Sequence, residues 1–457
     1  MINGEVSYWW AQIGEPTPRP ALTSEVGADV CIIGAGYTGL WTAYHLKREQ
    51  PDLKVVILER EFAGFGASGR NGGWLTDRFA ADNDTVAAIG GRSGALALRR
   101  ALRESVREVL EACAREEISA DIVSGGVLQV ARGEAQARRL RAQWEAEQRW
   151  SEDSEGVVAL DAAELGARIR IPDGRSGLYN PHGARVQPAK LAQGLAAAVI
   201  RLGVEIYERT PVLEVGPGFA RAEGGTVRSP IVLTCLEGFE STLPGRRRRR
   251  LPLNSAMVVT APLPASAWEQ IGWEGAEVLG DFAHAYTYAQ RTADGRIALG
   301  GRGVPYRFGS RIDNRGATQA STIRSLMATL HDQFPAAAEV PIDHAWCGVL
   351  GVARDWFPAV GLDRLSGLGG AGAYVGNGVG ASHLAGRTLC DLVLGHDTER
   401  SSLPWVDHRT RRWEPEPLRW MGVQLVYALY READRRERGG NGRTSSFARA
   451  AEFIAGR

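Results

Sequence analysis

The stretch from Ala28 to Glu59 restricts the fold of this chain more than any other. Ala28 to Ile33 (ADVCII) is a short apolar run suited to a buried parallel strand. It leads straight into Gly34-Ala35-Gly36-Tyr37-Thr38-Gly39. From Leu40 to Gln50 the spacing turns helical, with Leu40, Ala43, Tyr44 and Leu46 on one face, until Pro51 ends it. Lys54 to Leu58 (KVVIL) reads as a second strand with Glu59 at its C-terminal end. Gly34 permits the tight turn, Gly36 lets a pyrophosphate approach the backbone, and Gly39 lets helix and strand pack closely. Tyr37 and Thr38 lie in the first helical turn, whose free N–H groups and partial positive charge suit phosphates. Glu59, followed by Arg60, can accept from both ribose hydroxyls, which disfavours a 2′-phosphate. A dinucleotide is expected here. Gly367-Leu368-Gly369-Gly370-Ala371-Gly372 also fits GxGxxG, but no strand precedes it and AYV follows, so a loop is expected there.

At 457 residues the chain is too long for one compact core, and two interleaved domains are expected. Lys and Arg number 54 against 53 Asp and Glu, a formal net charge of +1. That balance gives no reason to expect nucleic acid or an anionic membrane surface. The five cysteines, Cys31, Cys113, Cys235, Cys347 and Cys390, form no CxxC pair and lie scattered in apolar stretches. A metal site and a disulfide framework are both unsupported, and a reducing cytosol fits. Met1 to Pro20 lacks a basic start followed by an apolar stretch, so no secretory signal is expected. The uncharged stretches 251–268 and 366–382 are broken by Pro or crowded with Gly, and no membrane span is expected.

After the second strand comes Gly64-Phe65-Gly66-Ala67-Ser68-Gly69-Arg70-Asn71-Gly72-Gly73-Trp74. A loop of this form, together with Tyr374-Val375-Gly376-Asn377-Gly378-Val379-Gly380-Ala381 before the helix-like 382–394, resembles the glycine/D-amino-acid oxidase family. SYWW near the start, Asn180 to Pro188, Thr292 to Arg296 before Gly300-Gly301-Arg302, and Trp413 to Trp420 look like its γ-glutamylputrescine oxidase-like branch. The resemblance spans nearly the whole chain and implies FAD. In that family the loop carrying Ala67, Ser68, Arg70, Asn71, Gly72, Gly73 and Trp74 wraps the pyrophosphate and ribityl chain and ends under the flavin. The turn at Gly376 to Gly380 would aim N–H groups at the electron-rich edge of the reduced ring.

The family fold is mixed α/β: a Rossmann-type FAD-binding domain with an interleaved antiparallel-sheet substrate domain. It implies FAD-binding pieces at 27–100, 185–240 and 345–400, substrate pieces at 101–184 and 241–344, and a helical tail at 401–457. Val204 to Tyr207 and Pro211 to Val215 resemble the strands bracketing the adenine, with Val212 in contact. Apolar runs at 256–261, 286–290 and 296–299 suggest an antiparallel sheet roofing the flavin. The five arginines Arg246 to Arg250, between Pro-Gly and Leu-Pro, read as a solvated loop rather than a nucleic-acid patch. Helix 418–438, with Leu418, Val423, Leu425, Val426 and Leu429 apolar, is expected to pack on the body.

The chemistry expected is oxidation of a C–N bond in a small amine to an imine, which water hydrolyses. Oxygen or another acceptor would then reoxidise the flavin. Trp346-Cys347-Gly348-Val349-Leu350 is the informative segment, because relatives that take α-amino acids carry an arginine where Leu350 stands. Leu cannot supply a bidentate carboxylate pair, which favours an amine over an α-amino acid. Cys347 lies ten residues before Phe357, the spacing of a cysteine that tethers flavin in monomeric sarcosine oxidase. The resemblance therefore leaves covalent attachment open beside non-covalent binding. His182, Tyr286, Tyr288, Trp346 and Arg302 are the candidates around the substrate. An amino-acid oxidase, a flavin monooxygenase and an electron-passing subunit remain rival readings. Glu237 sits where relatives have a small Ala-Thr-Asn/Gly turn, and it is expected to perturb the dinucleotide contact there.

Overall fold

A computed structural model describes residues 1–151, 156–301, 306–312, 315–438 and 442–456. One six-stranded sheet runs in the order Glu205–Tyr207, Val55–Leu58, Val30–Ile33, Ile231–Thr234, Leu368–Gly372, Ala359–Asp363. All its neighbours pair parallel except the last two strands. Val30–Ile33 and Val55–Leu58 are buried along their whole length because both faces are covered. On one face Val30, Ile32, Val55 and Ile57 join a core with Leu40, Ala43 and Leu46 of helix Tyr37–Glu49, and with Leu384 and Leu389 of helix Gly378–Leu394. On the other, Cys31, Ile33, Val56 and Leu58 meet Ala220, Ala222 and Val227 of a small four-stranded sheet.

The second layer is a nine-stranded, mostly antiparallel sheet with Leu251–Thr260 paired between Ile297–Gly301 and Ile342–Val352. Every residue of Leu251–Thr260 is buried, so it reads as a continuous run rather than an alternating one. Helices Ala265–Ile271 and Ala320–Gln333 cover one face through Trp268, Ile271, Ile323 and Leu330. The strand Ile342–Val352 crosses the expected boundary at 345 and belongs to this sheet. No described helix is long and apolar enough to cross a membrane.

Three local expectations change. The glycines at 367–372 are not a loop: Leu368–Gly372 is an inner strand. A Cβ at Gly369 would fall 2.7 Å from the Gly361 carbonyl oxygen, and one at Gly370 would fall 2.3 Å from that of Thr234. The glycines record close packing, not chain freedom. In the tail helix Leu418–Arg438, Leu418 and Leu425 are exposed, and Val423, Val426, Tyr427 and Tyr430 make the contact. The arginine run is not simply solvated. Glu240, buried six residues before it begins, receives Arg246 at 3.2 Å, Arg250 at 3.0 Å and Arg249 at 3.7 Å. Arg248 donates to the Trp413 carbonyl oxygen at 2.6 Å and thereby holds the tail.

Burial pushes the Glu240 carboxyl up, and the guanidiniums of Arg250, Arg246 and Arg249 more than offset it, leaving the group below its ordinary value. A depressed carboxylate stabilises the fold above the unfolded-state value and loses that contribution as pH falls through the folded one. Glu240→Gln is expected to cost about 3 kcal/mol in urea unfolding at neutral pH, since it leaves buried cations uncompensated. The difference from wild type should shrink as the pH is lowered below about 4.5, the ordinary carboxylate value.

Candidate active site

The glycine turn is built as tightly as the chain allows. Gly34 has φ 103°, and a Cβ there would sit 2.7 Å from the Cys235 carbonyl oxygen. A Cβ at Gly39 would lie 2.1 Å from the Gly34 carbonyl oxygen, so this glycine sets the helix–strand spacing and does not line the cleft. Helix Tyr37–Glu49 has no side-chain cap at Gly36, and the Ser68 hydroxyl accepts the Tyr37 N–H at 2.8 Å. Glu59 accepts the N–H groups of Ala35 at 2.9 Å and Glu61 at 3.0 Å. Each carboxylate oxygen keeps a further acceptor site. Burial holds the Glu59 carboxyl above its ordinary value.

The loop after the second strand is held by donors from distant parts of the chain. The Gly69 carbonyl accepts from Ser7 Oγ at 2.7 Å, that of Arg70 from Trp346 Nε1 at 2.9 Å, and that of Asn71 from Trp9 Nε1 at 2.9 Å. The Gly72 carbonyl accepts from Gln290 Nε2 at 2.7 Å. Arg70, fully buried, donates to the Phe65 carbonyl at 2.7 Å and lies 4.3 Å from its ring centre. Asn71 donates to the Ser68 carbonyl at 2.8 Å and accepts the Gly73 N–H at 2.7 Å.

Two cavities flank this loop. The first enters between the turn and the loop, past Gly34, Gly36, Tyr37, Thr38, Glu59, Arg60, Ala67, Ser68, Asn71 and Val212, with Gly376, Gly378 and Val379 at its far end. The second lies under the large sheet and is lined by Arg70, Gly72, Trp74, Tyr286, Tyr288, Gly348 and Asn377 among others. Both cavities are lined by Ala67, Asn71, Leu350, Gly376 and Val379, so they meet at these residues. Tyr288 stands edge-on to Trp74 with ring centres 6.2 Å apart, its hydroxyl 2.8 Å from Ser255 Oγ.

Several expected residues lie elsewhere. His182 lines neither cavity; Asn180 reaches the second instead and accepts the His182 backbone N–H at 2.9 Å. Trp346 is fully buried behind the loop, where its indole supports Arg70. Cys347 is turned to the opposite side of its strand from Gly348 and Leu350, with its sulfur 3.5 Å from the Ala317 carbonyl oxygen. Gly73 and Gly380 pack against Gln290 and Thr76 rather than facing a cavity. Arg302 lies outside the described residues.

Glu237 carries more than the expected perturbation. Its carboxylate accepts the N–H groups of Ala373 at 2.7 Å, Gly351 at 3.0 Å and Tyr374 at 3.2 Å. Ala373 and Val375 hold positive φ (68° and 54°), so this carboxylate pins a strained turn leading into helix Gly378–Leu394. That helix has no side-chain cap at Asn377. Thr38 Oγ1 and the Tyr374 hydroxyl, 2.9 Å apart, join the two helix N-termini.

Two helix starts without a cap from their own N-cap side chains, a ribose-type carboxylate and a glycine-rich loop would hold a long, diphosphate-bearing dinucleotide. This is the site of a flavin-dependent oxidoreductase. Residues 29–392 match the DAO family model, described as FAD dependent oxidoreductase, and the chain belongs to that family. Gamma-glutamylputrescine oxidoreductase of Escherichia coli (strain K12) is 29% identical over 407 residues, 88% of this chain and 91% of that protein. Glycine oxidase of Geobacillus kaustophilus is 24% identical over 389 residues, 82% of this chain and 96% of that one. The crystal structure of glycine oxidase from Geobacillus kaustophilus superposes with a TM-score of 0.68 at 22% identity, covering 84% of this chain and 100% of that chain. L-proline dehydrogenase from P. horikoshii superposes with 0.67 at 17% identity, covering 84% and 95%.

Trp9→Phe keeps an aromatic ring and removes the donor to the Asn71 carbonyl, leaving that partly buried acceptor unmet. A loss of about 1–3 kcal/mol in loop order is expected. It should appear as FAD released at least several-fold more readily, read from the rise in free-flavin fluorescence on dilution.

Proposed function

We propose that this FAD-dependent enzyme oxidises the C–N bond of a small amine to an imine, which water then hydrolyses to a carbonyl compound and an amine or ammonia. Leu350 carries the reading. It lines both cavities at their junction, where an amino-acid oxidase of this family would need a cation for an α-carboxylate. A guanidinium in that position would form a bidentate pair, and Leu presents only methyl groups. The names of the relatives, with gamma-glutamylputrescine in one and glycine in another, are consistent with a nitrogen-bearing substrate.

When bound, FAD supplies the acceptor for the hydride lost from the carbon beside nitrogen. The protein supplies orientation and field. The N-terminal end of helix Gly378–Leu394, with Gly376 and Val379 at the junction, favours negative charge there through its free N–H groups. The rings of Trp74, Tyr286 and Tyr288 line the second cavity and offer faces to a cationic amine. Tyr288, bonded to Ser255, is fixed in orientation. Leu350 excludes water from the same point.

Anaerobic absorbance titration with polyamines, N-methyl amines and amino acids tests this. Bleaching by an amine supports the reading, and bleaching by α-amino acids alone would sink it. Reoxidation in air with stoichiometric peroxide would identify oxygen as acceptor, and bleaching by NADPH would favour a monooxygenase. Leu350→Arg is expected to shift preference toward α-amino acids by about tenfold or more, the equivalent of ~1.4 kcal/mol.

A further inference from the structure

The carboxylate that pins the turn before helix Gly378–Leu394 also places a charge in the wall of the dinucleotide cavity. Glu237 lines the first cavity and not the second, and its own backbone has φ 47°, a conformation that Glu rarely adopts. Its Oε1 takes the N–H groups of Gly351 and Tyr374, and its Oε2 that of Ala373. Gly351 follows Leu350, and Tyr374 stands two residues before Gly376, so one side chain grips the backbone beside two junction residues. The contact is close. A Cβ at Gly238 would fall 2.9 Å from the Leu350 carbonyl oxygen, and one at Gly351 would fall 3.0 Å from the Glu237 carbonyl carbon.

Three N–H donors call only for lone pairs, which an ionised carboxylate supplies on both oxygens. A side-chain amide would turn hydrogens toward one of the donors. The charge is offset only in part. A Cβ at Gly372 would lie 2.1 Å from Arg250 Nη1 and 2.6 Å from Glu237 Oε2, so this cation and the carboxylate approach each other over that glycine. The guanidinium is shared, however: its Nε is 3.0 Å from Glu240, and its Nη1 donates to the Ala371 carbonyl at 3.1 Å.

Two-electron reduction adds negative charge to a flavin ring, so a fixed charge nearby shifts its potential according to sign. The N-terminal end of helix Gly378–Leu394 favours the reduced ring. A carboxylate bonded to the turn just ahead of that helix acts in the opposite sense. We propose that Glu237 is a positioning residue whose fixed negative charge holds the potential of the bound flavin below the value that the helix N-termini alone would set. The inference needs the flavin only, so it stands or falls apart from the amine reading.

The test is a dithionite titration of the full-length holoenzyme against a reference dye, which reads the flavin potential with no substrate present. Glu237→Gln is expected to favour reduced flavin about tenfold, ~30 mV upward for two electrons. Glu237→Asp keeps the charge and shortens the reach. It should stay within about twofold of wild type in this ratio, although it holds FAD less tightly because it cannot meet all three N–H groups. Arg250→Gln removes the opposing cation and should shift the ratio the other way by about threefold or more. Circular dichroism and flavin content would establish that each variant folds. A residue that only braces the turn would make Asp and Gln behave alike, and their equal shift would overturn the proposal. So would an unchanged or lowered potential in Glu237→Gln. If Glu237→Gln does not retain FAD, Arg250→Gln decides: a downward shift supports the assignment, and no shift or an upward one sinks it.

Discussion

Four consecutive carbonyl groups, those of Gly69 to Gly72, are each held by a side chain from outside the loop. Ser7 caps helix Tyr8–Ile13 and Trp9 lies in it, while Trp346 and Gln290 come from two strands of the large sheet. A buried carbonyl without a donor costs free energy, so the loop takes this course only when all these elements are in place. The loop is therefore a product of the whole fold, although its residues follow directly on the second strand of the dinucleotide unit. It forms one wall of both cavities, and whatever fixes its carbonyls also fixes where those cavities meet.

The same dependence explains why the two sheets cannot be taken apart along the chain. Strand Ile342–Val352 pairs in the large sheet, yet the N–H of Gly351 near its end is bound by Glu237, which stands just beyond strand Ile231–Thr234 of the six-stranded sheet. Through Ala373 and Tyr374 that carboxylate also sets the entry to helix Gly378–Leu394. A buried carboxylate taking three backbone N–H groups is a costly device, and burial raises its carboxyl above the ordinary value despite Arg250 and those bonds. It buys a rigid junction between a strained turn and a strand end.

Legibility in the sequence follows the range of the interaction. The glycine turn was readable because its constraints act within six residues: Gly39 must lack a Cβ because the Gly34 carbonyl is there. The inner strand Leu368–Gly372 resembles a loop in sequence because its glycines answer to Thr234 and Gly361, on neighbouring strands. The arginine run was misread because burial of Glu240, not its position six residues earlier, gives the run its role. Strand parity was readable for Cys347. Gly348 and Leu350 share a face by the two-residue repeat, so a Leu350 that meets the cavity turns Cys347 to the other side.

The distribution of charge across the cavities gives the site its logic. At the junction the lining residues are small or apolar except for Asn71, whose side-chain polar atoms are committed to the loop itself. Among the described residues no charged group lines both cavities: Arg70, Arg78, Arg99, Arg103 and Glu147 line only the second, and Glu59, Arg60 and Glu237 only the first. Binding energy collected away from the reacting atoms can be spent on orientation and desolvation at them, whereas a charge at the junction would stabilise the bound substrate and its transition state alike. An apolar junction also keeps the local dielectric low, so the dipole of helix Gly378–Leu394 acts there with little screening. The charged groups thus line one cavity or the other rather than the place where the two meet, and the loop at Gly69 to Gly72 helps to set where that place is.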